Sequence, residues 1–323
     1  MYPTAYPDKI RSMKRVLIFL ALVIALGVVV FLWWRQSIQN EVHSDQIMEP
    51  PVQVGELTYP EDPEKLQQWL RETHYELIHN KEDRALRWEP LLKIYCSQGC
   101  VDCCGLFAYA LQKLNRWEQA RQVATEHSGA DSPYSAFALA RYYSHHLNDD
   151  LKALPLYKQA CAKGLAISCT GAGVIHNLGR QVDKDHQKAI AFYRQACESG
   201  EPIACTNMGM LLESGAGVER DPRQAAELYR RSCQNTFQYT RGCINLGVLL
   251  IESDVIPKDD ERALALFRTA CRHRDGRGCY YLARLYESGR GIARDLPKAK
   301  ELNNKACRLG YRTACAEASE PAK

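Results

Sequence analysis

The sequence predicts an all-α fold: an α/α solenoid of helix-turn-helix repeats with one disulfide per repeat, preceded by a single transmembrane helix. Three observations predict it. Cysteines recur as pairs at a fixed step, Cys161/Cys169, Cys197/Cys205, Cys233/Cys243, Cys271/Cys279 and Cys307/Cys315, with first members 36, 36, 38 and 36 residues apart. A period of this size marks a repeat array, in which each unit covers its apolar face only by stacking on its neighbours. Small and aromatic residues keep the same step. Finally, Val16 to Trp34 is a run of 19 residues without a charged or strongly polar group.

That run comes first in the chain. As a helix it is roughly 28 Å long, about one hydrocarbon core. Lys9, Arg11, Lys14 and Arg15 precede it, whereas Arg35 is the only lysine or arginine between it and Lys65. The positive-inside rule therefore puts residues 1–15 in the cytoplasm, 16–35 in the membrane as a signal anchor, and the remainder outside. No small-residue cleavage site follows the run, which argues against a removed signal peptide. Residues 36–62 carry Pro50, Pro51 and Pro60 without helical periodicity and read as a tether.

Residues 63–165 read as a degenerate helical region. Asp62-Pro63 is a helix start, and Leu66, Trp69, Leu70, Thr73 and Leu77 form one apolar stripe. A second helix is expected from Glu82 to Tyr95, with Pro90 arguing against an unbroken one. Further helices are expected near 101–114, 117–127, 132–146 and 150–162. Between them lies CSQGCVDCC, holding Cys96, Cys100, Cys103 and Cys104. Cys96 and Cys104 share the eight-residue offset of the later pairs, which leaves Cys100 and Cys103 as a nested C-x-x-C. Two local bridges, a thiol–disulfide exchange centre and a copper or zinc site are all open there. Haem attachment is excluded, because Cys104 stands where a histidine is required.

The repeats proper span 166–315, with a tail at 316–323. Each cysteine pair flanks a short turn, with one cysteine ending a helix and its partner opening the next, so the sulfurs face one another. Gly200 suits the left-handed position that ends the first of two such helices. Gly173, Gly209, Gly247 and Ala283 recur four residues after the second cysteine, where a small side chain lets backbones approach. Asp185, Asp221, Asp259 and Asp295 precede the following helix, positioned to cap it. Ala189, Ala225, Ala263 and Ala299, then Tyr193, Tyr229 and Phe267, lie within that helix. Repeated C-x7-C is not a zinc spacing, and no histidine recurs with it.

These residues resemble the Sel1-like repeat, a relative of the tetratricopeptide repeat, and the paired cysteines are similar to its cysteine-rich Hcp-type branch. Two departures stand out: SDVIPKDD at Ser253 replaces the expected glycine loop, and Asn303 replaces an aromatic residue. The resemblance implies a binding surface along the first helix of each pair. It points to Thr206, Met210, Glu213, Val248, Tyr280 and Arg284, with Asn207 and Asn245 nearby as holders of an extended backbone. The implied partner is a protein, a peptide or a cell-wall glycan strand related to peptidoglycan.

Composition narrows the function. A net charge of +4 with interspersed signs implies no nucleic-acid face. Fourteen cysteines suit an oxidising compartment, and the absence of an N-x-S/T sequon from the exported part favours a bacterial periplasm. The resemblance also raises penicillin-binding or β-lactamase-like activity, yet S-x-x-K, S-D-N and K-T-G are all missing. The nine histidines are scattered, and His145, His146, Asp149 and Asp150 read as a solvated helix end. His176 reads as a satisfied polar contact, and the basic turn Cys271-RHRDGRG-Cys279 as a solvated loop, with contact to an acidic partner as its alternative. The expectation is therefore a non-enzymatic, membrane-anchored scaffold in the bacterial periplasm, without cofactor or metal. The alternative is a thiol redox or metal-assembly factor working through Cys96–Cys104.

Overall fold

A computed structural model describes residues 63–79, 82–127, 132–235 and 240–319. The expected anchor at 16–35, the tether at 36–62 and the Asp62 cap lie outside the described residues. No described helix is long and apolar enough to cross a membrane. The chain begins its described course with α1 (Pro63–His79), α2 (Glu82–Ser97), α3 (Val101–Lys113) and α4 (Trp117–Glu126). The stripe on α1 is buried as expected at Leu70, Thr73 and Leu77. Helix α2 runs unbroken through Pro90, held by the burial of Leu92 and Tyr95 beyond it.

Five helix pairs follow. They are α5 (Pro133–Arg141) with α6 (Asp150–Ala162), α7 (Ala166–Leu178) with α8 (His186–Glu198), and α9 (Pro202–Ser214) with α10 (Pro222–Asn235). Then come α11 (Thr240–Glu252) with α12 (Asp260–Arg272) and α13 (Gly276–Ser288) with α14 (Leu296–Arg308), before α15 (Arg312–Ser319) ends the described chain. Helix α5 widens into one π turn, Tyr142–His146, as Leu147 donates to the Tyr142 carbonyl at 3.2 Å. Each helix packs on its neighbours in sequence, and the first helices α7, α9, α11 and α13 also touch in a row. That is a solenoid, with one face made of first helices.

Within a pair the spacing is set by a ring lying on bare backbone. A Cβ added at Gly173 would stand 2.6 Å from the Tyr193 ring, at Gly209 2.7 Å from Tyr229, and at Gly247 2.6 Å from Phe267. All three rings are buried. In the last pair Ala283 stands at the glycine position and half-buried Asn303 at the aromatic one, so the ring and the bare backbone beneath it are replaced together. Asp149, Asp185, Asp259 and Asp295 each accept the backbone N–H three residues on, and Asp221 accepts two, from Arg223 and Gln224. Where the glycine loop is missing, the Ser253 hydroxyl accepts from the N–H groups of Val255 and Ile256 and turns the chain instead.

Seven disulfides close the turns: Cys96–Cys104, Cys100–Cys103, Cys161–Cys169, Cys197–Cys205, Cys233–Cys243, Cys271–Cys279 and Cys307–Cys315. Three residues after the first cysteine the chain must enter the left-handed region. Gly99, Gly164, Gly200 and Gly310 do so with φ between 86° and 93°, and a Cβ there would meet nothing. Arg274 occupies the same position with φ 60°. A side chain in that conformation costs about 1–2 kcal/mol, partly offset by the greater unfolded-state freedom of glycine.

Helix α9 is capped by a buried carboxylate. Glu201 is 8% exposed and accepts from the Ile203 N–H at 3.1 Å. Burial pushes its pKa up to about 7, against the opposing effect of that bond. Between about pH 4.3, its ordinary value, and pH 7 the folded chain therefore holds a proton that the unfolded chain has lost. Stability contributed by this group falls as pH rises through that window.

Two predictions follow from these positions. Arg274→Gly should raise the unfolding free energy by about 0.5–1 kcal/mol, read by denaturant titration; a lower midpoint would show that the arginine side chain holds the turn. Glu201→Gln should melt a few degrees above the parent at pH 8 and converge with it near pH 5, read by thermal denaturation at both pH values. A constant difference across that range would show that Glu201 is ionised throughout.

Candidate functional site

The row of first helices holds a groove of about 610 Å³, lined by Met210, Glu213, Ser214, Arg220, Arg241, Asn245, Val248 and Arg277. Its apolar members project from α9 and α11. Met210 is 44% exposed, large for an apolar side chain on a helix whose opposite face is core. Arg241 and Arg277 each stand two residues before the second cysteine of their unit, at the start of α11 and α13. The 36-residue step thus stacks two guanidiniums on adjacent helices. Arg220 comes from the glycine loop after α9, where its Nε donates to the Glu213 carbonyl at 3.0 Å.

A chain of hydrogen bonds forms part of this polar lining. The Arg277 guanidinium donates to Asn245 Oδ1 at 3.4 Å, and the Asn245 side chain is bonded to the Tyr229 hydroxyl. That hydroxyl donates to Glu213 Oε2 at 2.6 Å. Burial, then the Glu213 bond, pushes the phenol well above its usual range, so it stays a donor. The one carboxylate of the lining is thereby committed to a tyrosine. Three guanidiniums against one carboxylate leave the groove basic beside an apolar patch.

The sequence-predicted binding residues divide. Met210, Asn245 and Val248 meet in the groove. Thr206 is wholly buried and hydrogen-bonded to the Ser232 hydroxyl at 2.8 Å, so it does not reach the surface. It sits one residue after the cysteine that enters the core, which turns its side chain inward. Asn207 bonds the Tyr193 hydroxyl as Asn245 bonds that of Tyr229, so these asparagines hold the scaffold rather than lie free for a peptide. Tyr280 packs against Tyr281 and Tyr311, with ring centroids 5.5 and 5.0 Å away, and Arg284 pairs with Glu287 at 2.9 Å. Neither lines the groove.

Other expectations resolve the same way. The basic turn is not merely solvated, since it delivers Arg277 into the groove while Asp275 caps α13. His176 is no satisfied polar contact: both ring nitrogens are buried without a hydrogen bond, and the ring stacks on Phe192 at 5.8 Å. Asp150 binds Arg180 and Ser144, Asp149 caps α6, and His146 stacks on Trp117 at 5.3 Å, so that quartet does not converge on one point. Cys100 and Cys103 are buried as a disulfide, with the Cys100 sulfur capping α3. Missed at the sequence level were Arg220 and Arg241, while Arg277 was in view only as part of the basic turn; the signal for Arg241 and Arg277 was their shared place in the 36-residue step.

Comparison with known proteins follows the fold. No curated protein matches the chain. It is similar to a Sel1 repeat protein from Oxalobacter formigenes, 23% identical over 67% of this chain and 86% of that one, with TM-score 0.60. It is also similar to c5321, a protective antigen present in uropathogenic Escherichia coli strains displaying an SLR fold, at 22% identity over 71% of this chain and 50% of that one, TM-score 0.60. Helicobacter pylori cysteine rich protein B is 29% identical over 43% of this chain and 98% of that one, with TM-score 0.34. The first two likenesses establish the shared fold alone. The Sel1 repeat model matches residues 133–165, 166–201, 202–237, 240–275 and 276–311, more than half of the sequence, and the chain belongs to the Sel1 repeat family.

Proposed function

We propose that this protein is a non-enzymatic scaffold that holds an acidic segment of a protein partner in the groove between α9, α11 and α13. Sel1 repeats generally mediate protein–protein interaction, which supports the class of function. The charge of the groove carries the choice of partner. Arg220, Arg241 and Arg277 surround Met210 and Val248, and the single carboxylate, Glu213, is already bonded to Tyr229. An incoming carboxylate therefore meets guanidiniums that bind it in a fork, beside a patch that accepts an apolar side chain. Two of these arginines sit on separate helices of a rigid stack, so little ordering is needed on binding.

The scaffold is tethered, in this reading, by Val16–Trp34 to a bacterial inner membrane, with the helical body in the periplasm. Support for the anchor lies in the 19-residue apolar run and its basic N-terminal flank. Support for an oxidising compartment lies in the cysteines, all of which are paired among the described residues.

The test is a photo-crosslinking residue at position 210 in intact cells, with crosslinked peptides identified by mass spectrometry. Crosslinked segments should be rich in aspartate and glutamate. The charge-reversing pair Arg241→Glu/Arg277→Glu should cut their yield at least about tenfold with the melting temperature unchanged, and raised salt should weaken the parent likewise. Crosslinks to neutral or basic segments or to glycan strands, or a yield indifferent to reversal, would sink the proposal.

A further inference from the structure

One bridge differs from the other regular ones in what touches its sulfur. Cys161 Sγ lies 3.5 Å from the Gln195 side-chain carbonyl, and Cys205, Cys243 and Cys279 lie 3.7–3.9 Å from the carbonyl of their own partner cysteine. In the first bridge Cys104 Sγ likewise lies 3.7 Å from the Cys96 carbonyl, and Cys96 Sγ lies in addition 3.7 Å from His127 Nε2. His127 follows the last turn of α4, and α4 packs on α3, so a residue 31 positions away is brought onto the bridge. The ligand atoms of Cys96, Cys104 and His127 all fall within 4.8 Å of one another, and no other such trio of histidine, cysteine or acidic side chains occurs among the described residues.

The same turn has a second clasp. Cys100–Cys103 bridges the first turn of α3, and the Cys100 sulfur accepts from the Cys103 N–H at 3.2 Å. Backbone bonds Gly99 N–H to the Cys96 carbonyl and Cys104 N–H to the Cys100 carbonyl complete it, at 3.0 and 3.1 Å. Opening Cys96–Cys104 therefore leaves the turn closed and its two sulfurs facing each other. None of the other turns has a second bridge. Against the neighbouring clasp, access favours this opening at one end: Cys96 and His127 are half-buried and Cys104 is buried, whereas both residues of Cys100–Cys103 are buried.

We propose that Cys96–Cys104 is a reductively opened metal site that takes a thiophilic divalent cation such as Zn(II), with Cys96, Cys104 and His127 as its ligands. A dithiol reductant supplies two electrons and two protons, leaves as its own disulfide, and converts the bridge to two thiols. The cation then displaces those two protons to solvent and binds two thiolates and the neutral imidazole. Tetrahedral zinc has metal–sulfur distances of about 2.3 Å and metal–nitrogen distances of about 2.0 Å, so it needs sulfur and nitrogen about 3.5 Å apart. His127 already stands near that distance from Cys96. The two sulfurs must move apart to about 3.7 Å, and Cys104 Sγ, within 4.8 Å of the imidazole, must settle at about 3.5 Å from it, which side-chain rotation provides. The fourth position is left to water. This site lies in the N-terminal helices and is independent of the basic groove.

The full chain is reduced stepwise with a soluble dithiol, with alkylation and mass spectrometry reporting which thiols appear, and is then titrated with Co(II), whose thiolate charge-transfer absorption reports ligation. Cys96 and Cys104 should appear before Cys100 and Cys103 while helical circular dichroism is retained. One equivalent of cobalt should then bind with a thiolate band, be displaced by Zn(II), and bind at least about tenfold more weakly to His127→Ala, which keeps its bridge and its fold when oxidised. Cys161→Ser/Cys169→Ser should leave the band intact and Cys96→Ser/Cys104→Ser should abolish it. Earlier opening of Cys100–Cys103, unfolding on reduction, no thiolate band, a band surviving in Cys96→Ser/Cys104→Ser, or unchanged affinity in His127→Ala would each overturn the assignment.

Discussion

An aromatic ring lying on backbone without a side chain is the contact on which the rest of the repeat array depends. Tyr193 on Gly173, Tyr229 on Gly209 and Phe267 on Gly247 set how closely the second helix of a pair lies against the first. With that distance fixed, the next first helix can reach its own predecessor, and α7, α9, α11 and α13 form a continuous face. The contact tolerates no intermediate size. A single methyl at the glycine would have to displace a buried ring, which in a packed core costs about 1–3 kcal/mol. The tyrosines do more than fill space. Their rings are core, but their hydroxyls engage Asn207 and, at Tyr229, both Asn245 and Glu213 beside the groove. The spacing of the helices and the polarity of the binding face are thereby fixed by the same side chain.

The disulfides act at a different junction. Six of the seven join the end of one helix to the start of the following first helix, and so link successive helix pairs or their degenerate counterparts rather than the two helices within one pair. Closing a nine-residue loop removes roughly 2–3 kcal/mol of unfolded-state entropy. In a solenoid that contribution is local. Each unit's stability is its own plus its two interfaces, so a clip at every interface suppresses fraying where a linear array is weakest. The rings hold helices side by side and the sulfurs hold units end to end.

Much of this was legible in residue spacing. The 36-residue step gave the order of helix, turn and helix in each unit, because periodic cysteine, glycine, aspartate and aromatic residues each mark a different part of the same hairpin. The candidate site was less legible, for physical reasons. Thr206 and Met210 lie on one helix four residues apart, yet one is sealed in the core and the other is exposed. Position within a helix gives direction, and only the packing of the next unit decides which directions are covered. Asn207 and Asn245 looked like free polar groups, because nothing in the local sequence says that a tyrosine hydroxyl 14 or 16 residues upstream will meet them. Arg241 and Arg277 were in view as charges, but their convergence with Arg220 depends on how α9, α11 and α13 stack. His127 had no local signal at all.

Where the array departs from its own regularity is also informative. Between Cys233 and Cys243 the loop is two residues longer, the unit that follows lacks the glycine loop, and its aromatic is Phe267 rather than tyrosine. Phenylalanine has no hydroxyl to satisfy, and the residue 14 positions on is accordingly Tyr281, stacked on it with centroids 5.2 Å apart, where the earlier units place asparagine. The polar ladder that runs from Asn207 to Asn245 therefore ends at α13, and Arg277 reaches back across to Asn245 at that boundary. A strictly repeating surface would offer the same chemistry at every step and would discriminate poorly between partners. Ending the ladder in one unit while stacking two arginines across it makes a single place on the face unlike the others, and that place is the groove.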